Sequence, residues 1–311
     1  MLVGTTASGK SDVAFAFALA RARPGVEIVS VDSMSVYRGM DIATAKPSTE
    51  QRAEVPHHLI DLVDPDEEFT VSMFQRAALD AMADVEGRGC TALLVGGTGL
   101  YVRAVVDDLS LPGRWPDVAA SLEAEADGPG GCAALHARLV ALDPRAAERI
   151  TPENRRRIVR ALEVTIGSGR PFSSFGPGLD AYPKTRFALV GIRFDPGAVD
   201  RRIEERFTRW MDAGLLHEVQ ALAARPKGLS RTARQAIGYR ELLEHVEHGA
   251  PLDEAVERAV QRTRAFARRQ WAWFRRDPRI SWVGGDEDPA AVLGAALDGP
   301  ERTAGEARVR D

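Results

Sequence analysis

One stretch near the start of this chain decides its fold: Gly4-Thr5-Thr6-Ala7-Ser8-Gly9-Lys10-Ser11. It matches the P-loop pattern G-x-x-x-x-G-K-[ST] at every specified position. An apolar run precedes it at residues 1–3 and an alanine-rich run follows at 12–22, which is the strand, loop and helix order that the motif requires. Backbone N–H groups and the helix N-terminus of such a loop surround phosphate oxygens. The stretch therefore predicts a di- or triphosphate site, with Lys10 on the outermost phosphate and Ser11 on Mg²⁺.

Further strands and helices alternate after the P-loop. Short apolar, β-branched runs predict strands at residues 27–31, 57–63, 91–95 and 186–192, and helical periodicity marks residues 72–86, 199–213 and 252–274. This alternation predicts an α/β fold, a P-loop NTPase-like doubly wound parallel sheet with a helical insertion domain and a helical C-terminal part. Ligands of such sheets bind beyond the carboxyl ends of the strands, where Asp32 and Thr98 fall.

Four segments are predicted along the chain. Residues 1–113 form the first part of the P-loop core, and residues 114–182 form a helical insertion interrupted by Gly128-Pro129-Gly130-Gly131 and Pro144. Residues 183–283 return to the core and add basic helices. Residues 284–311 are acidic and rich in alanine and glycine, so we expect a disordered tail.

Composition excludes several classes of protein. Hydrophobic residues make up 44% of the chain and charged residues 28%, as in ordinary globular proteins. The two cysteines, Cys90 and Cys132, are far apart, which argues against a disulfide framework or a cysteine zinc site. No apolar run approaches the length of a membrane span, and the P-loop begins at residue 4, so we expect a cytoplasmic protein without a membrane partner.

Charge is distributed unevenly. The net charge is −4, yet residues 150–280 hold 25 Lys and Arg against 16 Asp and Glu, a local balance of +9. Such a basic segment in an acidic protein indicates an anionic macromolecular partner, although a solvated helical face gives the same count. Arginines interleaved with tryptophans near residues 264–276 favour a nucleic acid.

Together these motifs resemble the tRNA dimethylallyltransferase (tRNA isopentenyltransferase) family in its bacterial form. The P-loop is joined by segments in the family's order: Asp32-Ser33-Met34-Ser35-Val36-Tyr37-Arg38, Asp41-Ile42-Ala43-Thr44-Ala45-Lys46-Pro47, Leu94-Val95-Gly96-Gly97-Thr98-Gly99-Leu100-Tyr101, Arg160-Ala161-Leu162-Glu163, Gln235-Ala236-Ile237-Gly238-Tyr239-Arg240 and Arg268-Arg269-Gln270. The resemblance implies transfer of a dimethylallyl group from dimethylallyl diphosphate to the exocyclic amine of the adenosine next to the anticodon. It also implies that the diphosphate occupies the P-loop, where the motif alone predicts ATP.

The resemblance also assigns roles. Asp32 is the expected general base, Thr98 holds Asp32 or the substrate, and Lys10 stabilises the leaving diphosphate. Diphosphate contacts are expected from Gly4, Thr5, Thr6, Ala7, Ser8, Gly9, Lys10, Ser11 and Arg202, with Arg206 a weaker candidate. Contacts to the tRNA anticodon stem-loop are expected from Asp32, Ser33, Met34, Ser35, Thr98, Arg156, Arg157, Ile158, Val159, Arg160, Gln235, Ala236, Ile237, Gly238, Tyr239, Arg240, Arg264, Arg268, Arg269 and Gln270.

Two departures from the family pattern affect these expectations. Ser35 stands where the family often has glutamine, and Ala119 falls near an arginine that contacts tRNA in some members. Three other functions stay open at this point: a prenyltransferase acting on free adenine nucleotides, a P-loop small-molecule kinase, and an RNA-binding protein with a relic P-loop. Intact Lys10, Ser11, Asp32 and Thr98 argue against the last. We expect a monomer.

Overall fold

A computed structural model describes residues 1–21, 25–176, 178–193, 195–284 and 288–298. Six parallel strands form one sheet in the order β3-β2-β4-β1-β5-β6. The strands are β1 (Leu2–Gly4), β2 (Val26–Val31), β3 (His57–His58), β4 (Thr91–Gly96), β5 (Leu189–Ile192) and β6 (Ile280–Val283). The predicted parallel α/β sheet is confirmed.

Thirteen α-helices are present among the described residues. They are α1 (Lys10–Leu19), α2 (Thr49–Glu54), α3 (Val71–Gly87), α4 (Gly99–Val106), α5 (Pro116–Asp127), α6 (Gly131–Leu142), α7 (Pro144–Ala147), α8 (Arg155–Ser168), α9 (Pro196–Asp212), α10 (Leu215–Ala223), α11 (Tyr239–His248), α12 (Leu252–Phe274) and α13 (Pro289–Asp298). Short 3₁₀ turns occupy Phe172–Ser174 and Ala233–Gln235.

The order of the strands decides where the site lies. The first strand pairs with β4 on one side and with β5 on the other, and β4 also pairs with β2. Their apolar residues are buried on both faces, as expected for a parallel sheet covered by helices. All strands run the same way, so the segments following β1, β2 and β4 emerge side by side at one edge. Those segments are the P-loop, Asp32 and the turn before Thr98.

The chain divides into two compact units, one comprising Met1–Val106 and the chain from Lys184 onward, the other Asp107–Pro183. The predicted insertion, residues 114–182, lies within the second unit. This unit packs α5, α6 and α8 around buried Leu122, Leu139 and Leu162. Gly167 is required in α8, because a Cβ there would lie 2.2 Å from the Trp115 ring.

Three details differ from the sequence predictions. The strand expected at residues 57–63 is limited to His57–His58, with one isolated bridge between Tyr37 and Val63. Strand β6 was not predicted. The expectation of a disordered tail is wrong for α13, because Leu293 is buried in the cluster that contains Phe17 of α1. The rest of that predicted tail after Gly284 lies largely outside the described residues.

Among the helices that the structure describes, none combines the length and the apolar character needed to cross a bilayer.

Candidate active site

The P-loop leaves β1 at Gly4 and ends as the N-terminus of α1. A Cβ at Gly4 would lie 2.8 Å from Ser8 Oγ, so the tight turn requires glycine. Gly9 precedes α1 in a left-handed conformation with φ of 80°, which glycine adopts without strain. Ala7 also has a positive φ, 60°, a strained value for a residue with a side chain. The loop is therefore held in a backbone shape that suits phosphate binding.

Lys10 is the cation of this loop. Its Nζ donates to the Thr5 carbonyl oxygen at 3.2 Å, across the turn. Burial lowers the pKa of Lys10 to about 8, while the charge of Asp32 raises that pKa and the charge of Arg206 lowers it further. The lysine is thus poorly solvated and placed beside a second cation, an arrangement that a bound anion would stabilise.

Asp32 directly follows β2. Its Oδ1 accepts hydrogen bonds from the backbone N–H groups of Met34 at 2.7 Å and Ser35 at 3.3 Å. This turn fixes the carboxylate, and Oδ2 accepts no hydrogen bond from the described part of the chain. The free oxygen is available to a substrate N–H, as a general base requires.

Thr98 follows β4 through Gly96 and Gly97. Val31 of β2 pairs in register with Gly96, so Asp32 and Thr98 leave neighbouring strands close to one level. A Cβ at Gly96 would lie 2.2 Å from the Val31 carbonyl oxygen, which explains the glycine. The Thr98 side chain is partly buried, and its hydroxyl has no hydrogen-bond partner among the described residues.

An arginine of α9 lies against the P-loop. Arg206 Nη1 is 3.5 Å from Thr6 Oγ1, and the Arg206 guanidinium lies over the Trp210 ring, 5.6 Å from the ring centroid. Burial lowers the pKa of Arg206, and the charges of Arg209 and Arg202 lower it further. The weaker of the two sequence candidates is therefore the one in contact with the loop. Arg202 lies one turn earlier on α9 and is exposed, so its diphosphate contact stays a prediction.

Gln270 of α12, one of the predicted tRNA contacts, lies between two loops of the site. Its side chain is buried, with 6% of the residue exposed. Oε1 accepts from the Thr6 backbone N–H at 2.7 Å, and Nε2 donates to the Gly97 carbonyl oxygen at 2.8 Å. Both ends of the amide are engaged by loops of the site. The RNA contact of this side chain stays a prediction.

Other predicted tRNA contacts are buried for identifiable reasons. The Ser35 hydroxyl is 3.1 Å from the Ser30 hydroxyl, inside the turn that holds Asp32. Tyr239 donates to Glu218 at 2.5 Å, and that partly buried carboxylate also accepts from the backbone N–H groups of Asp41 and Ile42. Five of the predicted tRNA contacts share this burial, and their contacts with tRNA stay predictions: Ser35, Ile158, Val159, Ala236 and Tyr239. Gly238 is buried as well.

Two of the predicted RNA-binding arginines are engaged within the protein. Arg160 Nη2 donates to the carbonyl oxygens of Pro112 and Gly113, and Nη1 lies 2.8 Å from a carboxylate oxygen of buried Glu163. Arg264 pairs with Glu204. Exposed predicted contacts are Arg156, Arg157, Gln235, Arg240, Arg268 and Arg269. Ser33, Met34 and Ile237 are partly buried.

Sequence reasoning gave no role to two residues that fix the loop after Asp32. Lys46 Nζ, in a side chain only 2% exposed, lies 2.6 Å from carboxylate oxygens of both Asp41 and Asp61. It also donates to the Tyr37 carbonyl oxygen at 2.5 Å. Glu218 holds the same loop from α10. Lys46 lies in the segment of residues 41–47 that resembles the family, whereas no sequence pattern around Glu218 distinguishes it from an ordinary surface glutamate.

Oxygen donors suited to Mg²⁺ are present at the P-loop. The Ser11 side chain is exposed and has no hydrogen-bond partner in the described part of the chain. No cluster of three His, Cys, Asp or Glu side chains able to hold a metal occurs among the described residues. Magnesium usually takes one or two protein oxygens and completes its shell with phosphate and water. The donor set therefore fits a Mg²⁺ that arrives with a diphosphate.

Comparisons with known proteins agree over nearly the whole chain. A family model described as IPP transferase matches residues 35–277. The chain is 45% identical over 298 residues to a tRNA dimethylallyltransferase of Desulforudis audaxviator, covering 96% of this chain and 95% of that one. A tRNA dimethylallyltransferase of Streptomyces coelicolor is 46% identical over 304 residues, with 97% and 95% covered.

Two solved structures of enzymes with the same kind of name also match the fold of this chain. A tRNA isopentenylpyrophosphate transferase of Bacillus halodurans superposes with a TM-score of 0.68 at 34% identity, covering 98% of each chain. A eukaryotic dimethylallyltransferase, described as acting on tRNA, superposes with a TM-score of 0.74 at 25% identity, covering 97% of this chain and 76% of that one.

Proposed function

The chain belongs to the IPP transferase family, and we propose that it is a tRNA dimethylallyltransferase. It transfers a dimethylallyl group from dimethylallyl diphosphate to the exocyclic amine of the adenosine adjacent to the anticodon, in tRNAs that read codons beginning with U. The products are N(6)-dimethylallyladenosine and diphosphate. One observation carries this proposal: the P-loop, Asp32 and Thr98 follow three adjacent strands at one edge of the sheet.

The donor half of the site holds the leaving group. Backbone N–H groups of the P-loop and the Lys10 ammonium bind the diphosphate, and Arg206 adds a second positive charge beside the loop. Negative charge grows on the diphosphate as its bond to the allylic carbon breaks, so these fixed cations stabilise the transition state more than the ground state.

Ser11 is the proposed protein ligand of Mg²⁺. When bound, the ion neutralises part of the diphosphate charge. Ser11 lies in the first turn of α1, immediately after Lys10, so both residues are close to the same bound diphosphate.

The acceptor half of the site activates a weak nucleophile. Asp32 accepts a hydrogen bond from the exocyclic amine and takes its proton as the new N–C bond forms. The turn through Met34 and Ser35 keeps Oδ1 occupied and leaves Oδ2 for this work. Thr98, on the neighbouring strand end, holds either the carboxylate or the amine in place. The adenine leaves the anticodon-loop stack to reach this edge.

The relatives favour tRNA over the other acceptors. Those named above act on tRNA by name, and none of these names describes a kinase or an enzyme of free adenine nucleotides. We further propose that the protein works in the cytoplasm as a monomer.

Incubation with labelled dimethylallyl diphosphate tests the acceptor. An anticodon stem-loop and free AMP are compared side by side at two salt concentrations. We expect label in the stem-loop, with transfer that weakens as salt rises, and no label in AMP. Efficient, salt-insensitive labelling of AMP would instead establish a nucleotide prenyltransferase.

A further inference from the structure

We infer that Gln270 is a positioning residue that sets the distance between the leaving group and the nucleophile. This inference rests on the proposed function and goes beyond it, because Gln270 touches neither substrate in that mechanism. Its amide connects the two loops that carry the two halves of the reaction.

The two hydrogen bonds of Gln270 define this connection. Oε1 accepts from the backbone N–H of Thr6, inside the loop that holds Lys10, at 2.7 Å. Nε2 donates at 2.8 Å to the carbonyl oxygen of Gly97, the residue directly before Thr98. One rigid, planar group therefore fixes a diphosphate loop and an acceptor loop relative to each other, from a helix that belongs to neither.

Packing around the amide leaves little freedom. A Cβ at Gly97 would lie 2.5 Å from Gln270 Nε2, and a Cβ at Gly99 would lie 2.4 Å from the Trp273 indole. Gln270 and Trp273 are three residues apart, so they share one face of α12. Because Gly97 and Gly99 have no side chains, this face of α12 packs directly against the backbone of the turn.

The chemistry gives this geometry a function. Displacement at the allylic carbon needs the amine and the departing diphosphate on opposite sides of that carbon at short range, and misplacement by about 1 Å costs on the order of 100-fold in rate. Strand pairing sets the ends of β1 and β4, but Thr6 and Gly97 lie beyond the paired residues. The hydrogen bonds of Gln270 fix Thr6 and Gly97, which lie beyond the ends of the strands and next to the reacting groups.

The first test replaces the amide by an apolar group of similar length, Gln270→Met. We expect kcat for transfer to the stem-loop to fall about 100-fold, because the loops lose their shared anchor. The KM for the stem-loop should stay within about threefold, because the side chain is buried. The matched control is Gln261→Met on the same helix, where the exposed amide donates to Glu257 at 3.0 Å and kcat should not change.

The second test uses Gln270→Glu and pH. Protonated, the introduced carboxyl supplies one acceptor and one O–H donor, as the amide does. Ionised, it loses the donor to the Gly97 oxygen. Burial favours the neutral form. The ratio of the variant's kcat to the native kcat should therefore rise several-fold from pH 8 to pH 5.5, while the same ratio for Gln270→Met stays flat. Thermal melts confirm that each protein is folded over this range.

The outcomes separate the possibilities. If folded Gln270→Met keeps kcat within about threefold of native, or the loss lies in the stem-loop KM alone, the inference is overturned, and the second result makes Gln270 an RNA contact. If Gln270→Met does not fold, a flat pH ratio for Gln270→Glu overturns it. Failure of the native protein to label the stem-loop refutes the proposed function, and a binding assay with dimethylallyl diphosphate then shows whether the P-loop is intact.

Discussion

Two groups of polar residues in this protein contrast in how they are held. The first group, Lys10, Asp32 and Thr98, lies where strands end, and backbone hydrogen bonds and glycine turns fix its position. The second group consists of the arginines of α8 and α12. Some of these are held by acidic neighbours, as Arg264 is by Glu204, and others, such as Arg156 and Arg268, are exposed.

This contrast shows which sequence signals predict the positions of functional side chains. Local backbone geometry fixes the positions of the side chains in the first group, so the spacing of residues within a motif is enough to predict where they lie. In the second group, ion pairs with residues distant in sequence determine which arginines can bind RNA. The number of positive charges in the sequence therefore overstates the number available to RNA. Arg155 illustrates this, because it lies on a helix of arginines yet pairs with Glu123 and Asp127.

The largest expected effect is at Asp32. Asp32→Asn retains an oxygen for the Met34 and Ser35 N–H groups but removes the base, so kcat should fall about 10²- to 10⁴-fold. The affinity for dimethylallyl diphosphate should change little. Single-turnover rates and equilibrium binding measure the two quantities.

A matched control for this variant is Asp80→Asn on the exposed side of α3. It removes the same charge far from any strand end and should leave kcat unchanged. A near-native rate for Asp32→Asn would remove Asp32 from the base role.

Lys10 should show the next largest effect. Lys10→Met removes the charge that faces the leaving group, and loss of one such contact costs about 10²- to 10³-fold in kcat/KM for the donor. Binding of the stem-loop, measured by filter retention, should stay within about twofold. Joint loss of stem-loop binding and of the folded melt would show that Lys10 supports the structure rather than the diphosphate.

The sequence predicts where the residues of the first group lie, but not the side chains that hold their loops in place. Asp32 and Thr98 were placed correctly at strand ends because the strands before them are continuous apolar runs. The Gln270 amide and the Glu218 carboxylate act across distances of many residues in sequence, and no local pattern records their partners. Burial of Ser35 and Tyr239 was missed for the same reason.

The fold shows the same division. Helix α12 was predicted with its observed bounds, since its amphipathic period runs for 23 residues. Strand β6 has four residues and gains its order from pairing with β5. Helix α13 gains its order by packing Leu293 near Phe17. Both elements depend on tertiary partners, which the local sequence does not reveal.

The pKa of Lys10 gives a smaller, pH-dependent effect. Burial lowers this pKa to about 8 in the protein without ligand, so the charged form is lost as pH rises through that value. Binding of dimethylallyl diphosphate needs the charged form and should weaken about tenfold between pH 7 and pH 9. Calorimetry measures the dissociation constant at each pH.

Lys10→Arg provides the comparison for this titration. An arginine stays charged through this range, so its binding curve should be nearly flat above pH 7. A steep fall in both proteins would assign the titration to another group.

The smallest expected effect separates exposed from paired arginines. Replacing Arg156, Arg157 and Arg268 together by glutamine should lower the salt slope of stem-loop binding by about 2, given about 0.7 to 0.9 per phosphate contact. The KM for the stem-loop should rise. Replacing the paired Arg155 and Arg264 by glutamine should leave the slope unchanged. Equal slopes for the two variants would mean that pairing within the protein does not decide which arginines bind RNA.

In the proposed reaction, the edge of the sheet that carries the P-loop, Asp32 and Thr98 joins a dimethylallyl group to the amine of one adenosine in tRNA. The most direct test maps the product: a stem-loop is reacted with dimethylallyl diphosphate, digested to nucleosides and analysed by mass spectrometry, with diphosphate counted in parallel. We expect one N(6)-dimethylallyladenosine per diphosphate released, at a rate that falls about 10²- to 10⁴-fold in Asp32→Asn. A modification on another nucleoside, or a product that forms at the native rate in Asp32→Asn, would contradict it.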